Sequence, residues 1–388
     1  MSRTSIRIPI EARRARLMAF APPQAALPAM PNPQLEIVSL RDYRLREPVS
    51  GRAYAVLRIE TRSGLEGFGE CGEITPRDLA GVLEAVRGHE ATQFETIRHR
   101  LKNAPVGLMA ALNMAMLDVT GRFANAPVYQ VLGGPTRNKC RAMAMVEGAT
   151  DAELATSLQR ARAAGFRAFL VPAPPPAARN QGQAFVLAAR KRLDTLRQAA
   201  GPGTDFVLDC GGTLVPSDAA SLASAFERFH LLWLEEPCPA LNIAALRKIA
   251  AENVTPLGLG RTIRQPSAFQ DLLREEAIDI LRPDISQNGI SQIRQMAAIA
   301  ESYYVAVAPY HNGGPVASAA VFQLAASLPN FFIQQIPFPQ AEQDRQMRAA
   351  IAGNVETVKD GFAVLPSTPG LGIAVNEKAL EEYKERAA

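Results

Sequence analysis

From about residue 141 onward, short apolar runs alternate with stretches whose apolar residues recur at helical spacing. That is the mark of a parallel βα architecture. The runs are Phe206-Val207-Leu208, Leu231 to Leu234, Ile278 to Leu281, Val305 to Ala308 and Phe331-Phe332-Ile333. Between them, Leu222, Phe226 and Phe229, and then Ile293, Met296 and Ala300, form core-facing helical stripes. Thr150 and Glu153 have the spacing of a helix capping box, after a first strand that begins near residue 141. Polar residues end successive runs at Asp209, Glu235, Arg261, Asp284, Tyr310 and Gln335, separated by 26, 26, 23, 26 and 25 positions. A step of that size holds one strand, one helix and two short loops. Repeated around a closed barrel, it puts all six residues on the C-terminal rim, where barrel enzymes place their chemistry. Polar capping of strand ends would explain any one of the six but not their common step.

The first 140 residues follow another pattern. Leu35 to Val38 and Tyr54 to Thr61 alternate as antiparallel strands do, with a turn at Ser63-Gly64 and further glycines at Gly67 and Gly69. From Ala110 to Ala124, Leu112, Ala115, Val119 and Phe123 share one helix face, and Ala126-Pro127 ends the helix. The expected fold is therefore α/β: a modified TIM barrel of (β/α)7β type with an N-terminal α+β capping domain. The divisions are an arm at 1–33, the capping domain at 34–140, the barrel at 141–355, and a segment at 356–388 that packs back on the capping domain.

Composition narrows the function classes. In 388 residues, 47% are apolar and 21% charged, as in an ordinary globular protein. The net charge of +4, from 42 basic and 38 acidic residues, comes with no basic run interleaved with aromatics, so nucleic-acid binding has little support. No apolar run reaches the roughly 18 residues of a membrane span. Cys71, Cys140, Cys210 and Cys238 lack zinc-site spacing and fit buried thiols in a reducing compartment, so a cytoplasmic protein is expected. The Arg13-Arg14 pair and Arg16 invite comparison with a twin-arginine export signal, but Pro22-Pro23 interrupts the apolar stretch that such a signal needs. A flexible or packing arm is the expectation there.

At this point the sequence resembles the enolase superfamily, in its mandelate racemase and muconate lactonizing branch. The likeness is carried by Gly64 to Glu70, Ala111 to Asp118, Gly121 and Pro127 to Gly134 in the capping region. In the barrel it is carried by Leu208-Asp209, Trp233 to Pro237, Arg282 to Ser286 and Pro369 to Gly372. The resemblance implies abstraction of a proton α to a carboxylate. A Mg²⁺ ion held by three carboxylates on successive strands stabilises the enediolate, and a Lys or a His-Asp pair moves protons.

Matched residue by residue, the pattern is half met. Asp209 and Glu235 stand at the first two metal positions, but Arg261 stands at the third, a fixed positive charge that weakens any Mg²⁺ site. Two placements of Arg261 remain open: inward, paired with Asp209 and Glu235, or outward to solvent. Leu170 and Pro172 occupy the two lysine positions of the second strand, and neither accepts a proton. Asp284 matches the aspartate that orients a catalytic histidine. Tyr310 fills the histidine slot, however, and His311 comes one residue late, where it either turns back to the site or serves as a loop histidine. Gln335 replaces a glutamate, and Arg282 shares the inward side with Asp284.

The expected catalytic set is therefore Asp284, His311 and Tyr310, with Arg261, Arg282 and Gln335 binding substrate and giving the mouth positive charge. Two functions follow from the resemblance. One is an acid-sugar dehydratase-like lyase acting on a small carboxylate, and the other is an anion-binding or regulatory barrel that has lost the reaction. The family also implies a homo-oligomer, dimer or octamer.

Overall fold

The computed structural model describes residues 32–175, 182–240, 242–264 and 266–385. The expected arm falls almost wholly outside them, and so does the Arg13-Arg14 pair. The chain begins with three antiparallel strands in sequential order: β1 (Ile37–Arg46), β2 (Ala53–Thr61) and β3 (Glu66–Cys71). β1 runs well beyond Val38, because Tyr43 and Leu45 continue the buried alternation. Three helices follow: α1 (Pro76–Val86), α2 (Phe94–Arg100) and α3 (Val106–Phe123). Leu108, Leu112, Ala115 and Val119 bury the stripe of α3, whereas Phe123 in its last turn is exposed.

The glycines of β3 bring α3 onto the sheet. A methyl group added at Gly69 would strike the Ala111 carbonyl oxygen, and one at Gly67 the Ala115 carbonyl oxygen. Gly69→Ala is therefore expected to lower stability by about 1–3 kcal/mol, because neither backbone can yield without unpacking the capping sheet. Chemical denaturation checks this, and an unchanged midpoint would contradict the close approach.

The second unit is a closed ring of eight short parallel strands among the described residues. In order they are β4 (Lys139–Met145), β5 (Ala168–Pro172), β6 (Asp205–Asp209), β7 (Trp233–Glu235), β8 (Leu257–Leu259), β9 (Ile280–Leu281), β10 (Ala306–Val307) and β11 (Gln334–Gln335). β11 pairs with β4, and a bridge between Val307 and Phe331 closes the ring. The pairing falls just after the Phe331-Phe332-Ile333 run, whose Ile333 fills the lumen instead.

Helices α4 (Asp151–Ala163), α5 (Gln183–Ala200), α6 (Pro216–Phe226), α7 (Ile243–Glu252), α8 (Gln270–Arg274), α9 (Ile285–Glu301) and α10 (Pro315–Ser327) lie between successive strands. The capping box opens α4 as the sequence requires, with Thr150 and Glu153 bonded reciprocally. The lumen is filled by Met143, Leu170, Val207, Trp233, Ile280, Ala308 and Ile333, so it is a packed core and not a channel.

After α11 (Glu342–Ala352), the hairpin β12 (Val358–Lys359) and β13 (Phe362–Val364) joins the outer edge of β4 antiparallel. The chain then returns to the capping unit. Gly370, at φ +75°, accepts from Val128 N at 2.9 Å, and Leu371 N donates to Asp118 Oδ1 at 2.8 Å. A side chain on Gly370 would meet Asp118, which explains the glycine in the closing signature. Helix α12 (Glu377–Glu382) ends beside β1, where Tyr43 donates to Glu377 at 3.1 Å. No helix among the described residues is long and apolar enough to cross a membrane.

Candidate active site at the barrel mouth

Asp209 and Glu235 end adjacent strands and sit directly opposite each other in the β6–β7 register. Beyond β8, Gly260 at φ +143° lets the chain press against the Arg282 backbone and turns Arg261 inward. Arg261 Nη1 donates to Asp209 Oδ2 at 3.0 Å, and Nη2 donates to Oδ1 at 2.6 Å, a bidentate pair. Its Nε lies 3.3 Å from Glu235 Oε1. Of the two placements open to Arg261, the structure takes the inward one. Burial works against its charge, but Glu235 and Asp209 outweigh that and raise its pKa further.

Glu236 holds this loop. At φ +45°, uncommon outside glycine, it offers Oε1 to the backbone N–H of Gly260 at 2.9 Å and of Arg261 at 3.0 Å. Glu236 was not among the expected site residues, although the Glu235-Glu236-Pro237 triplet marks an acidic turn.

A second guanidinium lies beneath the first. Arg282 is fully buried, and its Nε donates to both Glu235 oxygens at 3.1 and 3.0 Å. Nη1 donates to the Ala308 carbonyl at 2.7 Å, and Nη2 donates to Gln335 Oε1 at 2.7 Å. Trp233 Nε1 also donates to Glu235, at 2.5 Å. Burial raises the Glu235 pKa, and Arg282 and Arg261 pull it back.

The expected substrate contact of Arg282 is corrected on this geometry. Every Arg282 nitrogen is committed inside the protein and the side chain is covered, so Arg282 positions Glu235 instead, while Gln335 accepts from Arg282 and keeps a buried Nε2 without a partner. The expected positive mouth is also corrected, because Asp209, Glu235 and Glu236 surround the two guanidiniums. Tyr310 completes the cluster, with Arg261 Cζ 5.3 Å and Arg282 Cζ 5.7 Å from its ring centre. Burial raises its phenol pKa, so it carries its proton at neutral pH.

The expected His311–Asp284 pair does not form. His311 is buried, with Nε2 2.8 Å from Ser318 Oγ on α10, while its Nδ1 accepts from Gly313 N at 3.3 Å. Burial first, and then Arg348 and Arg52, hold its pKa well below the usual imidazole range. Asp284 instead caps α9, with Oδ1 accepting from Ser286 N and Oγ, both at 2.8 Å. The one-residue offset at the end of β10 gives Tyr310 the inward direction and sends His311 toward α10.

Two family models match this chain: the N-terminal domain of mandelate racemase and muconate lactonizing enzyme over residues 45–133, and an enolase C-terminal domain-like model over residues 153–379. The chain belongs to this enolase-like family. Among its relatives, a D-galactonate dehydratase of Variovorax paradoxus is 28% identical, covering 89% of this chain and 94% of its own. A D-mannonate dehydratase of Caulobacter vibrioides is 26% identical over 87% and 93%. Among solved structures, an enolase from Agrobacterium radiobacter with bound Na and L-malate superposes with a TM-score of 0.81 at 25% identity, over 90% of this chain and 95% of that one.

Membership in this enolase-like family raises the question of its metal, since members of the superfamily typically bind Mg²⁺. The residues present do not fit a divalent ion. Both Asp209 oxygens receive Arg261, both Glu235 oxygens receive Arg282, and no grouping of three or more His, Cys, Asp or Glu among the described residues suits a metal. A hard cation needs oxygen donors, and a guanidinium in their midst repels it. The lysine positions are likewise altered, with Leu170 packed in the lumen and Pro172 ending β5. The four cysteines are buried free thiols.

Glu70, at the end of the Gly64 to Glu70 stretch, joins the capping unit to the barrel. Its carboxyl receives the N–H of Gly314, and those of Val316 and Ala317 at 3.1 Å each, at the start of α10. Burial nevertheless pushes its pKa up to about 7. The folded protein therefore holds this proton more tightly than the unfolded chain, whose carboxyl titrates near 4.5. The stability gained is fully present below that lower value and is lost as pH rises through about 7. Its size is on the order of 3 kcal/mol. Denaturation titrations between pH 5 and 8 should show this slope, and Glu70→Gln should flatten it. An identical slope in the variant would assign it to another group.

Proposed function

We propose that this protein is a divergent acid-sugar dehydratase-like lyase that acts on a small hydroxylated carboxylate at the barrel mouth without a divalent ion. The dehydratase relatives support the substrate class. The observation that carries the ion-free part is the Arg261 guanidinium, set between Asp209 and Glu235 where the family's cation would lie. Arg261 keeps some solvent contact, so one face of its fixed charge remains open to a developing oxyanion. Proton transfer falls to Asp284 and Tyr310, whose backbones pair just beyond β9 and β10. Asp284, its pKa raised by burial, acts as base, and protonated Tyr310 acts as acid.

The test is α-proton exchange in heavy water across a panel of acid sugars, with chelator or with Mg²⁺. Exchange that survives chelation and falls in Asp284→Asn, with product formation also lost in Tyr310→Phe, supports the proposal. Its absence on every substrate overturns the lyase reading.

A second reading is an acid-sugar-binding barrel without turnover. Leu170 in place of a lysine base and His311 turned toward Ser318 favour it. Carboxylates would then raise the melting temperature with no product formed. Either reading carries a cytoplasmic homo-oligomer, dimer or octamer, which light scattering measures directly.

A further inference from the structure

A cavity lies away from the barrel mouth, in the crevice between the capping unit and the barrel. It measures about 530 Å³, within the range of small-molecule sites. Arg98, His99 and Lys102, on α2 and just after it, form one wall, and Arg264, three residues beyond Arg261, stands on the other side. No carboxylate lines it among the described residues. Arg98 is neutralised by Glu95 on its own helix, at 2.8 Å. Lys102 and Arg264 are exposed and enter no ion pair with another described residue, although the charge of Arg264 is felt at Asp284. Here, in contrast to the mouth, positive charge is left over.

The polar lining is equally one-sided. Gln270, Gln287 and Gln292 bring side-chain amides to the same space. Asn288 is 3% exposed, and its Nδ2 donates to the carbonyls of Ile263 at 3.0 Å and Asp284 at 2.9 Å. Those two bonds fix which end of the amide is oxygen, and Oδ1 is left buried without a donor. A buried acceptor without a partner is costly unless something entering the cavity supplies a hydrogen.

We infer that this crevice binds a hydroxylated organic anion, its charge held between Lys102 and Arg264 and one hydroxyl donated to Asn288 Oδ1. Cations outside any ion pair among the described residues select the charge, and the amides and the orphan acceptor select the hydroxyls. A carboxylate and a phosphate satisfy the cations alike, so the probes include both.

The test is calorimetric titration of the full chain with D-gluconate and D-glucose 6-phosphate, with glucose and acetate as partial probes. At least one hydroxylated anion should bind, with glucose and acetate about tenfold weaker or more. Arg264→Glu and Lys102→Glu should each weaken it by about tenfold or more, while Tyr310→Phe at the mouth leaves it unchanged. Both charge reversals are at exposed positions, and an unaltered melting temperature shows that the fold is kept. Failure of both hydroxylated anions to bind at millimolar concentration overturns the inference. Binding of acetate as strong as that of gluconate overturns the role of Asn288. Loss of binding in Tyr310→Phe but not in the charge reversals assigns the ligand to the mouth and overturns the second site.

Discussion

Arg282→Met is expected to cost about 3–5 kcal/mol of folding stability, the usual penalty for leaving a buried charge without its partner. The side chain is inaccessible to solvent, and it gives Glu235 its bifurcated contact as well as tying Gln335 and the Ala308 carbonyl to the barrel axis. Without it, Glu235 keeps Trp233 and Arg261 but loses its shortest link to positive charge. The Glu235 pKa, already raised by burial, should rise further, so the loss should shrink at acidic pH. Adding Glu235→Gln should recover much of the loss, since a neutral amide needs no counter-charge. Urea denaturation of the two variants measures both effects. A loss below about 1 kcal/mol in Arg282→Met would mean that water reaches the pair.

Arg261→Glu should produce the second large effect, a gain of metal dependence. The substitution converts the donor set at the ends of β6, β7 and β8 from two carboxylates and a cation to three carboxylates. Without metal the variant should be less stable than the parent, because three like charges now converge. With Mg²⁺ at 100 times its dissociation constant, the variant should recover about 2.7 kcal/mol. The parent should show no such gain. Arg282 still occupies Glu235, but a carboxylate has lone pairs enough for both. Thermal unfolding with and without millimolar Mg²⁺ decides the matter, and Asp209→Asn in the variant background should abolish the gain. Equal stabilisation of the parent would show that Arg261 yields to an ion.

Much of this site was legible in the chain because a barrel writes its rim periodically. Asp209 and Glu235 were placed by the step between strand ends, and the structure brings them together with Arg261. Where the step meets an irregular strand end, the sequence is silent. His311 and Tyr310 are adjacent, and only the backbone turn after Val307 decides which side chain enters the barrel. Glu236 was hidden for a similar reason, since its role depends on a left-handed backbone that no residue type announces. Burial was misjudged where charge was counted without its partners. Arg282 reads as a ligand-binding cation from its position, but Glu235 and Gln335 consume its donors. Phe123 shows the converse, an apolar residue on the right helix face that lies beyond the reach of the core.

The Glu70 carboxyl on the first N–H groups of α10 also governs how the molecule can move. Swinging the α+β unit away as a rigid lid would strip those amides of their acceptor and leave an acid stranded beside His311 and Arg348. Separation of the two units is therefore costly, and they should behave as one body. Calorimetry should accordingly record a single cooperative melting event for the whole polypeptide.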